Sequence, residues 1–566
     1  MPAIPGTPLR PIGQNLSAIG HSATSRSKTR ADCLFVTSLL LAWFLAALLV
    51  NPIGNFPIND DWAFAYPVRT LIEDGDLRLS GWAAMNLITQ IGWGALFCFP
   101  FGFSFTALRI STLVIGALGI IATYGLLREV QAHPRLALFG SAVFAFSPIY
   151  FSLSYTFMTD VPFTALATSS TFLLLRGLRR DSSMELVAGI LLAGLAVLIR
   201  QVGLAIPFAF SVAYLVKKGL TPKSVGLAII TIGSAFALQF GYKAWLIWAD
   251  RLPSGFGKQI AGLFNQLEKP WLNILGDATA IISYALIYCG LFLFAFLVLG
   301  VCFNRKQLVL TFFAALAAVT TAVLLSSGKI MPLHGNILSP AGIGWDPIRG
   351  PTWFWTVVTF LGISGGILLV TVLGRSVVGL FSPTNGGQNP SALTLLLALI
   401  IATFAPLPFL GFGKAGFYDR YLIVFLPSLL ALAVASGTIR DFRWRSAGGV
   451  IGIAAFLGTA LFSIAATHDY LASHRVLWTA LHHLMHDRGV QPEQIDGGFE
   501  FNAWYLYSDS YIPKPNKSWY WVTDDEYLVS AYKRDGYVIL QTYPVQRWLP
   551  WGKADIMIQW RGDRAS

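Results

Sequence analysis

The sequence predicts a mainly α-helical, polytopic membrane protein, a bundle of about thirteen transmembrane helices followed by a small C-terminal α/β domain. Of the 566 residues, 55% are apolar and 12% are charged, whereas soluble domains average about 25% charged residues. Apolar stretches long enough to cross a bilayer recur as far as residue 466. Beyond that point Trp, Tyr, charged residues and turn formers replace them, which indicates a soluble region.

Apolar stretches of about 17 to 25 residues are typical of transmembrane helices. By this criterion we expect spans near residues 33–51, 108–127, 136–155, 161–178, 185–199, 203–216, 224–248, 278–303, 307–327, 353–374, 393–411, 421–438 and 446–466. The stretches 185–199 and 203–216 are short, so they are either two short spans or a broken pair with polar residues at the break. Residues 87–101 are apolar but too short to span, and we predict a re-entrant or surface helix there.

Basic residues indicate the orientation, because cytoplasmic segments carry an excess of Lys and Arg. With a cytoplasmic N-terminus, the inner segments carry eighteen bases against five acids, and the outer loops carry eleven of each. We therefore predict a basic cytoplasmic tail at 1–31 without a cleavable signal peptide, and a transmembrane domain at 32–466 with its first outer loop at 52–107. A periplasmic soluble domain follows at 467–566. In this last region, residues 470–488 predict a helix, and residues 537–540 and 556–560 predict strands.

Two further observations exclude other classes of protein. The formal net charge of +12 resides mainly on the predicted cytoplasmic face, where it meets anionic lipid, so no nucleic-acid partner is expected. The four cysteines lie in or beside apolar segments without metal-type spacing, so they predict neither a disulfide framework nor a metal site.

Three acids stand out at the outer ends of predicted spans. Asp60 and Asp61 follow the first span, and Asp160 lies in a short gap between two others. Carboxylates near the bilayer lose hydration, which is unfavourable unless they have a use. Such acids can accept a proton from a hydroxyl, hold a divalent cation or bind a coupling ion. The alternatives are a solvated turn at Asp60-Asp61 and a helix N-cap at Asp160.

Outer-facing bases form the complementary set, at positions where a lipid phosphate would lie; they are Arg200, Arg251, Lys258, Lys414 and Arg420. Arg420 enters a span directly with Tyr421 and has Asp419 beside it as a counter-ion. Any single base could instead be an interfacial residue whose charge reaches to water. His334 lies in a Gly/Pro-rich outer loop and is either a metal or sugar ligand or an ordinary loop residue.

This pattern of residues resembles the GT-C membrane glycosyltransferases. The similarity comprises the acidic pair Asp60-Asp61 in the first large outer loop, Asp160 in the next outer gap, and the Arg420-Tyr421-Leu422 entry into a late span. It is greatest to the protein O-mannosyltransferase-like branch and to the bacterial transferase that adds aminoarabinose to lipid A, and it covers residues 33–466. These families commonly read Asp-Glu in the first loop, so it stays open whether Asp61 acts or supports Asp60.

The resemblance implies an inverting transferase that moves a sugar from a polyprenyl-phosphate donor to a hydroxyl of a lipid, glycan or protein acceptor. Asp60 would be the general base. Asp61 and Asp160 would orient the acceptor or, with His334, hold a divalent cation such as Mg, Mn or Zn. No nucleotide cofactor is expected, since the sequence has no Gly-rich phosphate loop.

The donor phosphate would be bound by Arg200, Lys414, Arg420 and Tyr421, according to the same resemblance. The expected location is the bacterial inner membrane, with the site on the periplasmic side. Two rival functions remain open from the residues alone: a polyprenyl-lipid or sugar transporter or flippase, and a non-catalytic subunit of envelope assembly. Replacing Asp60 should abolish transfer in an enzyme, uncouple a transporter and have little effect on a scaffold.

Overall fold

The protein is a membrane helix bundle that carries a four-stranded sheet near its C-terminus. A computed structural model describes residues 13–300, 330–381, 389–409, 416–515, 517 and 520–562. Within these residues, seven helices are long and apolar enough to cross a membrane: Arg30–Val50, Phe105–Glu129, Asp160–Arg180, Pro222–Trp248, Trp271–Gly300, Thr352–Phe381 and Ala447–Asp487. The predicted fold class is therefore confirmed, while the number thirteen stays a prediction.

The helices of the described chain are α1 (Gly13–Val50), α2 (Asp61–Glu73), α3 (Ile88–Cys98), α4 (Phe105–Glu129), α5 (Pro134–Ala145), α6 (Pro148–Leu153), α7 (Asp160–Arg180), α8 (Ser183–Val197), α9 (Ala205–Lys218), α10 (Pro222–Trp248), α11 (Ser254–Leu267), α12 (Trp271–Leu297), α13 (Thr352–Phe381), α14 (Pro390–Phe404), α15 (Phe425–Ala435), α16 (Ala447–His482) and α17 (Phe499–Leu506). Short 3-10 helices include Gln201–Leu204 and Asp419–Leu422. The strands are β1 (Leu338–Ser339), β2 (Gly342–Ile343), β3 (Ile495–Asp496), β4 (Tyr527–Ser530), β5 (Val538–Val545) and β6 (Ala554–Trp560).

The observed helices show one divided span, one pair of short helices and one delayed helix start. The span at 136–155 is divided into α5 and α6, because Pro148 begins a new helix and cannot continue the preceding one. The short stretches at 185–199 and 203–216 form two separate helices, α8 and α9, joined by a 3-10 turn. The span at 421–438 begins as a 3-10 turn before α15. The predicted span at 307–327 and Cys302 lie outside the described residues.

The short helix α3 has eleven residues, fewer than a membrane span needs, as predicted for residues 87–101. The bundle core pairs α4 with α7, α7 with α8, α9 with α14, and α12 with α13. In the last pair Gly290 lies against the backbone of Gly365 and Gly366, where any larger residue would clash. Small residues at such crossings let membrane helices approach closely.

The two ends of the bundle carry different polar groups. One end holds ion pairs between the predicted cytoplasmic segments, such as Arg128 with Asp32 (2.9 Å) and Arg179 with Glu129 (2.8 Å). The other end is formed by the chain after α1, the start of α7, the α8–α9 turn and the 3-10 helix before α15. Asp60, Asp160, Arg200 and Arg420, which the sequence places on the outer side, meet at this second end.

Residues 467–562 continue from the bundle without a break, since α16 runs through the predicted boundary at 466/467. The helix predicted at 470–488 is thus the extension of the last span rather than a separate element. No Gly or Pro interrupts the chain there. The sheet order is β3-β4-β6-β5, with β3 parallel to β4 and the other pairs antiparallel. The predicted strands correspond to β5 and β6, while the division into two domains stays a prediction.

Candidate active site

Asp60 lies in the turn before α2, with its carboxylate at the wall of a large cavity. Asn59 occupies the left-handed region (φ 56°), which Asn tolerates better than most residues, and its side chain accepts a hydrogen bond from the Asp60 N–H (3.0 Å). One Asp60 carboxylate oxygen accepts a hydrogen bond from the Trp82 indole N–H (3.1 Å), and the other lies 3.1 Å from a guanidinium nitrogen of Arg420. The turn thus presents an oriented carboxylate to the cavity.

Arg420 is positioned by its neighbour Asp419. The Asp419 carboxylate is buried and accepts hydrogen bonds from three consecutive backbone N–H groups, those of residues 336–338, at 2.8 to 3.1 Å. Burial raises the pKa of Asp419 to about 6, although these hydrogen bonds oppose the shift. These hydrogen bonds hold the 3-10 helix Asp419–Leu422 against residues 336–338, so the backbone that carries Arg420 is fixed.

Two guanidinium groups lie against the ring of Tyr421. The guanidinium carbon of Arg420 is 5.7 Å from the ring centre, and that of Arg200 is 5.8 Å from it. The Arg420 side chain is only 6% exposed, and its Nε has no hydrogen-bond partner among the described residues. Arg binds phosphate oxygens through a planar fork of N–H donors, so this arrangement can receive an anionic oxygen group.

Asp160 joins the same group of residues through Arg200. It lies fully buried in the first turn of α7, with a carboxylate oxygen 2.9 Å from Arg200 Nη1. The two groups are not aligned as a hydrogen bond, and neither Asp160 oxygen accepts a hydrogen bond from the described residues. Opposite charges at that separation attract strongly in a buried site. Asp160 therefore holds Arg200 beside Tyr421.

Asp61 points away from the cavity and into the protein. Its carboxylate accepts a hydrogen bond from the Phe157 N–H (2.7 Å), and only 2% of the residue is exposed. Burial raises the pKa of Asp61 well above its ordinary value, and the positive charge of Arg109 opposes that shift. Asp61 is not among the described residues that line the cavity. Its contacts connect α2 to the chain before α7, which favours a supporting place beside Asp60.

Of the remaining predicted residues, His334 is described and is not brought to this site. The His334 ring lies 5.1 Å from that of Tyr284, and His334 is not among the described cavity residues. Lys414 lies outside the described residues. In the part of the chain that the structure covers, no three His, Cys, Asp or Glu side chains are grouped so that they could hold a metal. The cation requirement therefore stays a prediction.

The cavity has a volume of about 1180 Å³ and extends from Asp60 and Arg420 to the C-terminal sheet. Its walls also include three residues that the sequence analysis did not select, Trp82, His474 and Glu500. The available signal for Glu500 was an acid between two aromatic residues, Phe499 and Phe501, which is unusual in a solvated helix. Neither Trp82 nor His474 has a distinctive sequence context.

Comparison with known proteins gives one family. Residues 93–248 match the family model described as dolichyl-phosphate-mannose-protein mannosyltransferase. This segment includes Asp160 and Arg200, and it precedes the region of Arg420. No curated protein matches the chain significantly.

Solved structures of low similarity were also found. ArnT from Cupriavidus metallidurans in the apo state is 16% identical, with 95% of this chain and 98% of that chain covered and a TM-score of 0.39. The Saccharomyces cerevisiae protein O-mannosyltransferase Pmt1-Pmt2 complex bound to the sugar donor is 17% identical, with 40% of this chain and 35% of that chain covered and a TM-score of 0.32. The oligosaccharyltransferase AglB from Archaeoglobus fulgidus is 15% identical, with 86% and 62% covered and a TM-score of 0.40.

The family model matches the sequence of the segment from α3 to α10. The resemblance of this chain to the protein O-mannosyltransferase-like GT-C membrane glycosyltransferases, inferred from its outer acids and bases, is therefore confirmed by the match over residues 93–248.

Proposed function

We propose that this protein is a membrane glycosyltransferase that moves a sugar from a polyprenyl-phosphate donor to an acceptor hydroxyl, with inversion. The observation that carries the proposal is the group formed by Asp60, Arg420 and Arg200. A carboxylate lies 3.1 Å from one guanidinium, and the second guanidinium shares the Tyr421 ring with the first. This combination provides a proton acceptor beside an anion site, at the end of a membrane bundle where a lipid phosphate would lie.

The reaction assigned to this site is a single displacement. Asp60 accepts the proton of the acceptor hydroxyl as its oxygen attacks the anomeric carbon, and the bond between that carbon and the phosphate oxygen breaks. A positioned general base contributes about 10² to 10⁴-fold to such a step. The electron pair of the broken bond leaves with the polyprenyl phosphate, and Arg420 and Arg200 stabilise the charge that grows on it.

The pairing of Arg420 with Asp60 suggests an order of binding. A donor phosphate would compete with the Asp60 carboxylate for the Arg420 guanidinium, whose Nε has no hydrogen-bond partner among the described residues. Binding of the donor would thereby release Asp60 to accept a proton. We infer that the donor binds before the acceptor hydroxyl is activated.

Asp160 and Asp61 receive supporting functions in this scheme. Asp160 holds Arg200 at 2.9 Å and so positions the second cation, whereas Asp61 fixes the start of α2. Both guanidinium groups lie over the ring of Tyr421. Lys414 is retained as a predicted phosphate ligand and His334 as a predicted cation ligand.

The location and partners follow the same proposal. The protein would be a multi-pass protein of the bacterial inner membrane, with this cavity opening to the periplasm and the basic cytoplasmic segments facing anionic lipid. The acceptor would be a lipid, glycan or protein hydroxyl that enters the cavity of about 1180 Å³. The transport and scaffold alternatives lack a specific observation in their favour.

The test is transfer of radiolabelled sugar by the purified protein from undecaprenyl-phosphate esters of mannose, glucose, N-acetylglucosamine and aminoarabinose to cell-envelope extracts. Binding of undecaprenyl phosphate is measured beside it. Asp60→Asn should lose transfer and keep or improve lipid-phosphate binding, because Arg420 no longer has a competing carboxylate. The matched control is Asp76→Asn in the same outer loop. Absence of transfer from every donor by folded wild-type protein would contradict the proposal.

A further inference from the structure

The backbone of the candidate base is held from the C-terminal region of the chain. Glu500, in the first turn of α17, accepts a hydrogen bond from the Asn59 N–H at 3.1 Å. The Asn59 side chain in turn accepts the N–H of Asp60 at 3.0 Å. Two hydrogen bonds therefore connect Glu500 with the residue that carries the base.

Glu500 is itself oriented by His474 of α16. His474 Nδ1 lies 2.9 Å from the carbonyl oxygen of Tyr470, and because a carbonyl only accepts, Nδ1 carries the proton. The other ring nitrogen, Nε2, lies 3.6 Å from Glu500 Oε1, and it donates toward this carboxylate when the imidazole carries both protons. Burial would raise the pKa of Glu500, but the contacts with His474 and the Asn59 N–H lower it more, so the carboxylate is ionised at neutral pH.

The carboxylate of Asp60 is held from the same region through aromatic packing. Trp82, which donates to Asp60, lies against Phe499, Tyr507 and Trp521, with ring centres 6.1, 6.3 and 5.6 Å apart. Aromatic contacts at these distances fix ring orientation as well as position. Both the main chain and the side chain of Asp60 thus depend on residues beyond 498.

We propose that Glu500 is a positioning residue for Asp60 and that the C-terminal region completes the active site. The inference rests on the proposed function, since it assigns Glu500 a place in the transfer step. A shift of about 1 Å in a catalytic group can lower a rate by about 10²-fold, so loss of this anchor should be measurable.

The experiment compares Glu500→Ala, Glu500→Gln and the control Glu493→Ala, an exposed acid in the same region. Transfer from an undecaprenyl-phosphate sugar accepted by the wild type gives kcat and KM, and hydrogen exchange of the peptide that contains Asn59 reports the hydrogen bond directly. Glu500→Ala should lower kcat about 10- to 100-fold with donor KM changed less than about twofold. Glu500→Gln keeps an acceptor oxygen and should stay within about threefold of wild type.

Exchange at Asn59 should be about tenfold faster in Glu500→Ala and close to wild type in the other two variants. The inference is overturned if Glu500→Ala matches Glu493→Ala in kcat and in exchange. It is also overturned if Glu500→Gln loses as much activity as Glu500→Ala, since that result would assign the effect to the charge. If the wild type transfers no sugar, the proposed function fails, while the exchange data still test the contact.

Discussion

Removing the Arg420 guanidinium should lower both the stability of the protein and its rate of transfer. Arg420 and Asp60 are 6% and 13% exposed in their side chains, so Arg420→Met leaves a largely buried carboxylate without its partner. Breaking such a pair costs about 3 to 5 kcal/mol. Removing a donor that stabilises transition-state charge lowers kcat by about 10² to 10³-fold. We therefore expect easier unfolding together with loss of transfer.

A double mutant separates the two effects. Arg420→Met combined with Asp60→Asn contains no unpaired charge, so it should recover at least about 2 kcal/mol of the stability lost by Arg420→Met. Transfer should stay absent, because both the base and the cation are missing. Thermal unfolding in detergent and transfer of labelled sugar measure the two properties.

The matched control is Arg251→Met, which breaks a pair with Asp76 of similar length (2.7 Å) but with about a third of each side chain exposed. Pairs of that exposure contribute about 1 kcal/mol or less. The reasoning is refuted if Arg420→Met unfolds no more easily than this control, or if it transfers sugar at the wild-type rate.

Three other variants test neighbouring parts of the site. Arg200→Gln should weaken undecaprenyl-phosphate binding about tenfold or more, because it removes one of two cations and leaves Asp160 buried without a partner; unchanged affinity would exclude Arg200 from the phosphate site. Asp419 has a pKa of about 6 against an ordinary value of 3.8, so its protonated form is favoured on folding. The contribution of Asp419 to the free energy of unfolding should therefore decrease by about 3 kcal/mol as the pH rises from 4 to above 6. Asp419→Asn should remove this pH dependence of stability in thermal melts. Trp82→Phe keeps an aromatic ring but loses the hydrogen bond to Asp60, and it should lower kcat about threefold to tenfold with donor KM unchanged in steady-state assays.

The bundle could be predicted from the sequence because membrane helices need long apolar stretches. The predicted spans differ most from the helices where one residue changes the backbone. Pro148 ends α5 inside a continuous apolar run, which length and hydropathy alone do not reveal. Conversely, α16 continues through residue 467 although the composition changes there, because a helix can continue whether its side chains are buried or exposed.

The site was only partly predictable, for a similar physical reason. Asp60 and Asp61 are adjacent in sequence, yet successive residues at a helix start point about 100° apart, so one faces the cavity and the other the core. The contact between Asn59 and Glu500 joins residues 441 positions apart. Glu500 stands out locally as an acid between two aromatic residues, but no local pattern shows that Asn59 is its partner, because only the fold brings the two segments together.

The central claim is that Asp60, rather than its neighbour Asp61, accepts the proton. Single-turnover transfer from a preformed donor complex tests it most directly, with Asp60→Asn and Asp61→Asn compared at the same temperature and pH. Asp60→Asn should lose about 10² to 10⁴-fold in rate with the donor still bound. The rate of Asp61→Asn should stay within about tenfold of wild type. This variant should melt at a lower temperature, because the Asp61 carboxylate accepts a hydrogen bond from the Phe157 N–H. Transfer that survives in Asp60→Asn and disappears in Asp61→Asn would contradict the account.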